Sequence, residues 1–293
     1  MKVEAECAAC ILSRAAAEAT EATVNPALRF RAMSDLLRLL TKEFRPTAVP
    51  ADLGTKRDRL IKRITGNADP YKRSKRISNE KALKLLPYAR RYVEGGYAQE
   101  DRFKRACLCA IVGNVMEFDI PGHKFTFGGL KKTLAEATKD LVVDDVGRIY
   151  QAAKQAGSVL YLLDNAGEIV FDVLLVEQLK DAGLQVVVAV KSGPVINDAT
   201  VEDAEASGMS RVADKVITTG TDAVGLALKE VSPGFLEAYT SAGMVFAKGM
   251  GYAETLTEYK LSRPHALLFR TKCNPVANFF GVPREKNVAK LMP

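Results

Sequence analysis

An apolar run, Leu160-Tyr161-Leu162-Leu163, ends abruptly in Asp164-Asn165-Ala166-Gly167-Glu168, and it constrains this chain more than any other feature. A strand buried on both faces reads as a continuous apolar stretch, as in a parallel sheet covered by helices. In open α/β sheets, ligands sit in the crevice outside the carboxyl ends of such strands. The run is therefore expected to be a buried strand, with Gly167 and the following Glu168-Ile169-Val170-Phe171 opening a helix. Asp164 and Asn165 would then face a pocket.

The second half of the chain keeps that rhythm. Short aliphatic or β-branched runs at 159–163, 186–190, 215–218, 244–247 and 267–269 alternate with amphipathic stretches, their starts 23 to 29 residues apart. That spacing fits right-handed crossover units in a parallel sheet. Before about residue 156 the period changes. Apolar residues recur at three- and four-residue spacing in 9–19, 28–40, 82–93 and 103–116, and no convincing strand alternation is present. Turn signals at Asn25-Pro26, Arg45-Pro46, Asp69-Pro70, Gly95-Gly96 and Pro121-Gly122 separate five or more helices. The expected architecture is α/β: an all-helical part at 1–156, as a cap or a domain of its own, then a Rossmann-like three-layer αβα domain at 157–293 with a mainly parallel sheet.

Composition narrows the class. With 293 residues, 47% of them hydrophobic, the chain can bury a sizeable core. It lacks the roughly 18 consecutive apolar residues that a membrane span needs, and its first residues lack the charged-then-apolar order of a signal peptide. A soluble cytoplasmic protein is the expectation. Five cysteines, an odd number in such a chain, argue for thiols or metal ligands over a disulfide framework.

The net charge of +7 is matched by one segment, 56–76, which holds nine Lys or Arg against Asp58 and Asp69 (9 − 2 = +7). Such a strip is either a solvated helix face or a surface for phosphates and nucleic acid. Tyr71 is its only aromatic residue, so base stacking is not indicated.

A second acid falls at a strand end. The run Gln185-Val186-Val187-Val188-Ala189-Val190-Lys191 leads into Ser192-Gly193-Pro194-Val195-Ile196-Asn197-Asp198. If the two strands are neighbours, Asp164, Asn165 and Asp198 meet as an oxygen-only set suited to Mg²⁺ or Mn²⁺. An equal alternative is that Asp164 and Asp198 cap the helices beginning near Gly167 and Thr200. A third strand end reads Lys248-Gly249-Met250-Gly251, a cation followed by glycines that let backbone N–H groups approach an anion, and Lys272 follows a fourth. Acids collecting a metal with lysines converging beside them describe a site for a phosphorylated substrate. The chain has no Gly-x-Gly-x-x-Gly after the first strand and no phosphate loop of the Walker type, which disfavours dinucleotide and nucleoside-triphosphate enzymes. His123 and His265 are its only histidines, too few for a histidine-built zinc hydrolase, and each is expected to be structural.

Taken with these loops, the chain resembles the damage-control phosphatases of the ARMT-like family, metal-dependent enzymes marked by an Asp-Asn pair after the first strand of a Rossmann-like domain. The resemblance spans nearly the whole chain. It implies that Asp164, Asn165 and Asp198 hold the metal and that Glu168 and Lys248 belong to the site. A stand-alone prokaryotic branch of that family also carries an N-terminal Cys-x-x-Cys and a Lys-Cys near the C-terminus, here Cys7-Ala8-Ala9-Cys10 and Lys272-Cys273. Asp69-Pro70-Tyr71, Asn79-Glu80 and Gly113-Asn114 with Glu117-Phe118 resemble its helical part, and Asn114 would reach the crevice. The loop Met250-Gly251-Tyr252-Ala253-Glu254 departs from the Gln-Gly-Asn-Tyr-Glu of many relatives, and Glu117 stands where Asp is usual.

The expected function is a divalent-metal-dependent phosphomonoesterase acting on small phosphorylated metabolites, sugar phosphates among them, with Mn, Co, Ni or Mg as the ion. Lys248 and Lys272 would meet substrate oxygens, backbone N–H groups near Gly167 would offer a further anion seat, and Glu168 would position water or a substrate hydroxyl. Attack by water and attack through an aspartyl intermediate on Asp164 both need a carboxylate at this place. Cys7, Cys10 and Cys273 form a second candidate set, as a soft-metal site or as inert thiols, while Cys107 and Cys109 read as core. A competing reading is a nucleic-acid-binding or metabolite-sensing regulatory protein using 56–76. Against it, strand-end carboxylates repel a polyphosphate unless a cation intervenes. Carboxyl methyl transfer lacks its glycine-rich loop.

Overall fold

The computed structural model describes residues 1–113 and 127–293. In chain order the elements are α1 (Glu6–Ala22), α2 (Pro26–Glu43), α3 (Pro50–Thr65), α4 (Lys72–Glu94), α5 (Gln99–Gly113), α6 (Phe127–Lys139), β1 (Leu141–Asp144), α7 (Val146–Ala156), β2 (Ser158–Leu162), α8 (Glu168–Asp181), β3 (Gln185–Val190), α9 (Val201–Ser207), α10 (Met209–Val212), β4 (Lys215–Thr218), α11 (Pro233–Ser241), β5 (Met244–Lys248), α12 (Gly249–Leu256), β6 (His265–Arg270), α13 (Asn274–Phe280) and β7 (Asn287–Met292). One sheet runs in the order β1-β7-β6-β5-β2-β3-β4. All its pairings are parallel except β6 with β7. The mainly parallel α/β architecture agrees with the sequence.

Alternation along the strands sorts the core onto the two sheet faces. Val159 and Tyr161 of β2, Val186, Val188 and Val190 of β3, and Met244 and Phe246 of β5 share one buried cluster with α4, α5, α7 and α8. Leu160, Leu162, Ala189, Val245 and Ala247 point the other way, into a cluster with α11, α12 and α13. The helices α1, α2 and α3 pack around a third cluster that includes Ile11, Leu36 and Ile61.

Two features differ from the sequence reading. The strand β1 lies at Leu141–Asp144 and pairs with β7, so the sheet draws on a segment expected to be purely helical. The helices α4 and α5, from the segment expected to form a cap or a domain of its own, share the core of α8 and the sheet. Four-residue β1 is too short to show a period, which is why it did not stand out.

Candidate active site

The strand order puts β5 and β3 on either side of β2, and the chain leaves β2 in one direction toward β3 and β4 and later returns on its other side to β5 and β6. Such a reversal opens a crevice at the carboxyl ends, where neighbouring crossovers leave on opposite faces. The loops carrying Asp164, Asp198, Lys248 and Lys272 all emerge along this rim.

Two of those loops are bonded to each other. Asn165 pairs with Asp198 across an isolated antiparallel bridge. Ala199 N–H donates to Asp164 O at 2.7 Å, and Ala166 N–H donates to Asn197 O at 2.9 Å. Residues directly opposite in an antiparallel pair have Cβ atoms about 5 Å apart on the same side. Asn165 and Asp198 therefore stand within reach of one ion, and Asp164 is the covalent neighbour of one of them. Neither acid caps a helix: Gly167 precedes α8 without a side-chain cap, and α9 is closed by a capping box of Thr200 and Asp203. That removes the capping alternative and leaves both carboxylates at the rim.

Asn165 Nδ2 donates to Asp164 Oδ2 at 2.7 Å and to Glu168 Oε2 at 3.0 Å. Glu168 Oε1 accepts from Lys248 Nζ, which also donates to Asp172 Oδ1 and to Ala110 O, both at 2.8 Å. An ammonium has three hydrogens. All three of Lys248 are thus committed to protein acceptors, and the side chain is completely buried. The expectation that Lys248 meets substrate oxygens directly does not describe this arrangement. The cause is strand alternation: Lys248 follows Met244 and Phe246 at even spacing, so it points into the α5 and α8 layer. Burial opposes its charge, yet Asp172 and Glu168 outweigh that and hold its pKa above the ordinary lysine value.

The other strand-end lysine turns to the opposite face. Lys191, also buried, donates to Ala223 O and Gly225 O, both at 2.7 Å, and lies 4.8 Å from the centre of the Tyr252 ring. Its Nζ is 3.8 Å from Asp198 Oδ2. Burial lowers its pKa.

Burial dominates the acids as well. It raises Asp164 well above the usual carboxylate range, with Glu168 and Asp198 adding repulsion, and it pushes Asp198 and Asp172 up to about 6. Four carboxylates, on Asp164, Glu168, Asp172 and Asp198, face two buried lysines, leaving two negative charges uncompensated by them. Lys272 follows β6, half-buried, and its charge acts on Asp164 to lower that acid's pKa. An oxygen donor set in which carboxylates outnumber lysines fits a hard divalent cation, for which Asp164, Asn165 and Asp198 are the donors that would hold it.

Backbone geometry at the third loop fits the same purpose. Gly249 has φ +82°, a conformation that side chains rarely adopt, and a Cβ there would overlap the Asp164 carboxylate. Glycine lets the β5–α12 turn come down onto Asp164.

The remaining candidates fall as follows. Gly167 N–H, expected to be free for an anion, donates to Asn79 Oδ1 at 2.6 Å, and Asn79 Nδ2 donates to Asp203 Oδ1 at 2.7 Å. Asn79 of α4 thus ties the first rim loop to α9. Asn114, Glu117 and His123 lie outside the described residues. His265 is buried, with Nε2 2.9 Å from Tyr239 Oη and Nδ1 2.8 Å from Arg263 O, the satisfied structural histidine that was expected. Cys107 and Cys109 are buried in the core, also as expected. Cys7 is buried on α1, Cys10 is exposed and Cys273 precedes α13, and burial raises the pKa of Cys7 and Cys273, with the neighbouring thiols adding to it. Among the described residues, no three His, Cys, Asp or Glu side chains form a metal-binding group, and the expected set of Asp164, Asn165 and Asp198 contains only two such side chains.

The basic strip is largely spent on internal pairs. Arg57 pairs with Glu18 at 2.9 Å, both buried, and Lys75 with Asp69 at 3.0 Å. Arg59 bonds Asp222 and Glu230, while Lys62 bonds Asp58, Asp222 and Pro194 O. These contacts fasten α3 to the loops after β3 and β4.

Sequence reasoning missed Asp172, Lys191 and Tyr161, and it named Asn79 and Gly249 without their contacts to the first rim loop. One signal for Asp172 was visible: an acid four residues after Glu168 within an otherwise apolar helix, Ile169-Val170-Phe171-Asp172-Val173-Leu174.

Comparison with known proteins agrees with the geometry. The family model for the damage-control phosphatase ARMT1-like domain matches residues 3–288. The damage-control phosphatase of Archaeoglobus fulgidus is 34% identical over the full length of both chains, and that of Pyrococcus horikoshii is 37% identical over 97% of this chain and 96% of its own. The crystal structure of a DUF89 family protein from Pyrococcus horikoshii superposes with a TM-score of 0.89 at 36% identity, covering 99% of this chain and 98% of that one. This chain belongs to the damage-control phosphatase ARMT1-like family.

Proposed function

We propose that this protein is a divalent-metal-dependent phosphatase that hydrolyses small phosphorylated metabolites, with Asp164, Asn165 and Asp198 as the ligands of the ion. The observation that carries this reading is the Asn165–Asp198 bridge, which brings two strand-end loops together in a site rich in buried carboxylates. The names of its relatives support phosphate-ester hydrolysis as the reaction. Proteins of this kind act on phosphorylated small molecules, and among the described residues no helix is long and apolar enough to cross a membrane.

When bound, the ion would neutralise phosphate charge and lower the pKa of a water. The protein supplies the rest. Lys272 contributes positive charge on the outer rim, where an incoming phosphate arrives. Glu168 Oε2 lies beside Asn165 and can take a proton from a water or a substrate hydroxyl. Lys248 acts on the substrate at one remove, by holding Glu168 in place. The internal pairing of the 56–76 strip makes it a fastener between α3 and the rim loops, which disfavours nucleic-acid binding as the main activity.

The test is phosphate release from p-nitrophenyl phosphate and from sugar phosphates after chelation and readdition of Mn²⁺, Co²⁺, Ni²⁺ or Mg²⁺. Hydrolysis that returns only with metal in the wild type, and not in Asp164→Ala, supports the reading. An Asp164→Ala protein with the full metal-dependent rate overturns it.

A further inference from the structure

Asp172 is fully buried, takes no part in the expected ligand set, and sits one helical turn beyond Glu168 on α8. Its Oδ1 accepts from Tyr161 Oη at 2.7 Å and from Lys248 Nζ at 2.8 Å, while its Oδ2 has no hydrogen-bond partner among the described residues. A buried carboxylate left half-satisfied is a poor stabiliser of a core. Its contacts form a chain: Tyr161 and Asp172 hold Lys248, Lys248 holds Glu168 Oε1, and Glu168 Oε2 accepts from the Asn165 amide.

The far end of that chain has a direction. The Asn165 amide nitrogen has two hydrogens, and Asp164 Oδ2 and Glu168 Oε2 take both. Both hydrogens being taken, the amide oxygen is the atom left to meet a cation. Were Glu168 to swing away, the amide could flip and present N–H groups to the cation. Because Lys248 has no spare hydrogen, only the full set of Asp172, Glu168 and Ala110 O fixes its position.

We infer that Asp172 is a positioning residue, acting through Lys248 and Glu168 to set the Asn165 amide oxygen toward the divalent cation. The inference rests on the reading that Asn165 is a ligand. Residues that orient metal ligands typically cost about 10- to 100-fold in metal affinity when replaced. Asp172→Asn keeps the shape and an acceptor for Lys248 but weakens its hold.

The experiment is calorimetric titration of the chelator-treated full chain with Mn²⁺, run as a double-mutant cycle. Asp172→Asn is expected to weaken Mn²⁺ binding by about 10- to 100-fold in the wild-type background. In Asn165→Asp, which has no amide to orient, the same change is expected to cost no more than about threefold, because coupled residues are non-additive. Equal losses in both backgrounds, or no loss in the first, overturn the inference. Should Asp172→Asn fail to fold, Tyr161→Phe, which removes one hydrogen bond and no charge, carries the test: several-fold weaker binding supports the relay and unchanged binding overturns it. A wild-type chain that binds no Mn²⁺ overturns the ligand assignment itself, and this inference with it.

Discussion

Asn165 faces Asp198 across a single antiparallel bridge that joins the loop after β2 to the loop after β3. The main-chain bond from Ala199 N–H to Asp164 O clamps the same junction. The candidate ligands are thereby held by backbone, before any cation arrives, and the cost of gathering like charges falls on the fold.

That cost gives a prediction whose sign reverses with metal. Burial and repulsion by Glu168 and Asp198 disfavour ionised Asp164. In chelator-treated protein, Asp164→Asn is expected to raise stability by roughly 2 kcal/mol, because one of several crowded carboxylates is gone. With Mn²⁺ in excess the order reverses, since a ligand that binds the native state stabilises it in proportion to its affinity. Thermal melts of both proteins, with chelator and with Mn²⁺, check this, and a variant less stable than wild type under both conditions contradicts the charge argument.

Gly249 offers a steric test of the same site. At φ +82° with no room before the Asp164 carboxylate, Gly249→Ala must both strain the turn and push Asp164 aside. Left-handed backbone costs a side-chain-bearing residue about 1–2 kcal/mol. Displacement of a ligand adds a loss of metal affinity on the order of 100-fold. Urea denaturation measures the first effect and Mn²⁺ titration the second.

The strand-end loops were legible because an apolar run that stops at Asp-Asn advertises where the chain leaves the sheet. That Asp164, Asn165 and Asp198 lie in loops after strands could be read from such runs, whereas their approach across a bridge could not. The direction of Lys248 could have been read too, since counting by two from Met244 places it on the α8 face and not in the crevice. What the sequence concealed was pairing across distance. Nothing local links Asn79 to Gly167, 88 residues away, or Arg59 to Asp222, 163 residues away. The strip 56–76 read as either a solvated face or a surface for phosphates for the same reason: many of its acidic partners lie in other elements. Strands β1 and β7 escaped notice because one is four residues long and the other is the antiparallel strand in a sheet read by its crossover spacing.

Asn79 ties α4 to the rim, so its removal is expected to loosen the site from outside it. Asn79→Ala leaves Gly167 N–H, in a buried position, and one oxygen of Asp203 without their partner. An unsatisfied buried donor costs about 1–3 kcal/mol. Stability should fall by that amount in chemical denaturation, with added protection lost at the amides of 164–168 in hydrogen exchange. A loss spread evenly over the chain, with the loop no more open than the rest, would refute the tie.

A pH dependence follows from Glu254 on α12, whose pKa burial raises from 4.5 to about 7, with Arg14 and the N-terminal ammonium only partly offsetting it. The sign follows from proton counts. As pH rises through 4.5 the unfolded chain releases this proton while the folded chain keeps it, so the unfolded state gains and stability falls until about pH 7. Above that both states are ionised and the contribution is constant. Glu254→Gln cannot titrate, so its denaturation free energy is expected to lack this decline between pH 4.5 and 7. At pH 8 its stability relative to wild type should exceed the difference seen at pH 4.5 by the order of 2 kcal/mol. Parallel profiles for the two proteins across that window would show that Glu254 ionises in the folded chain as readily as in the unfolded one.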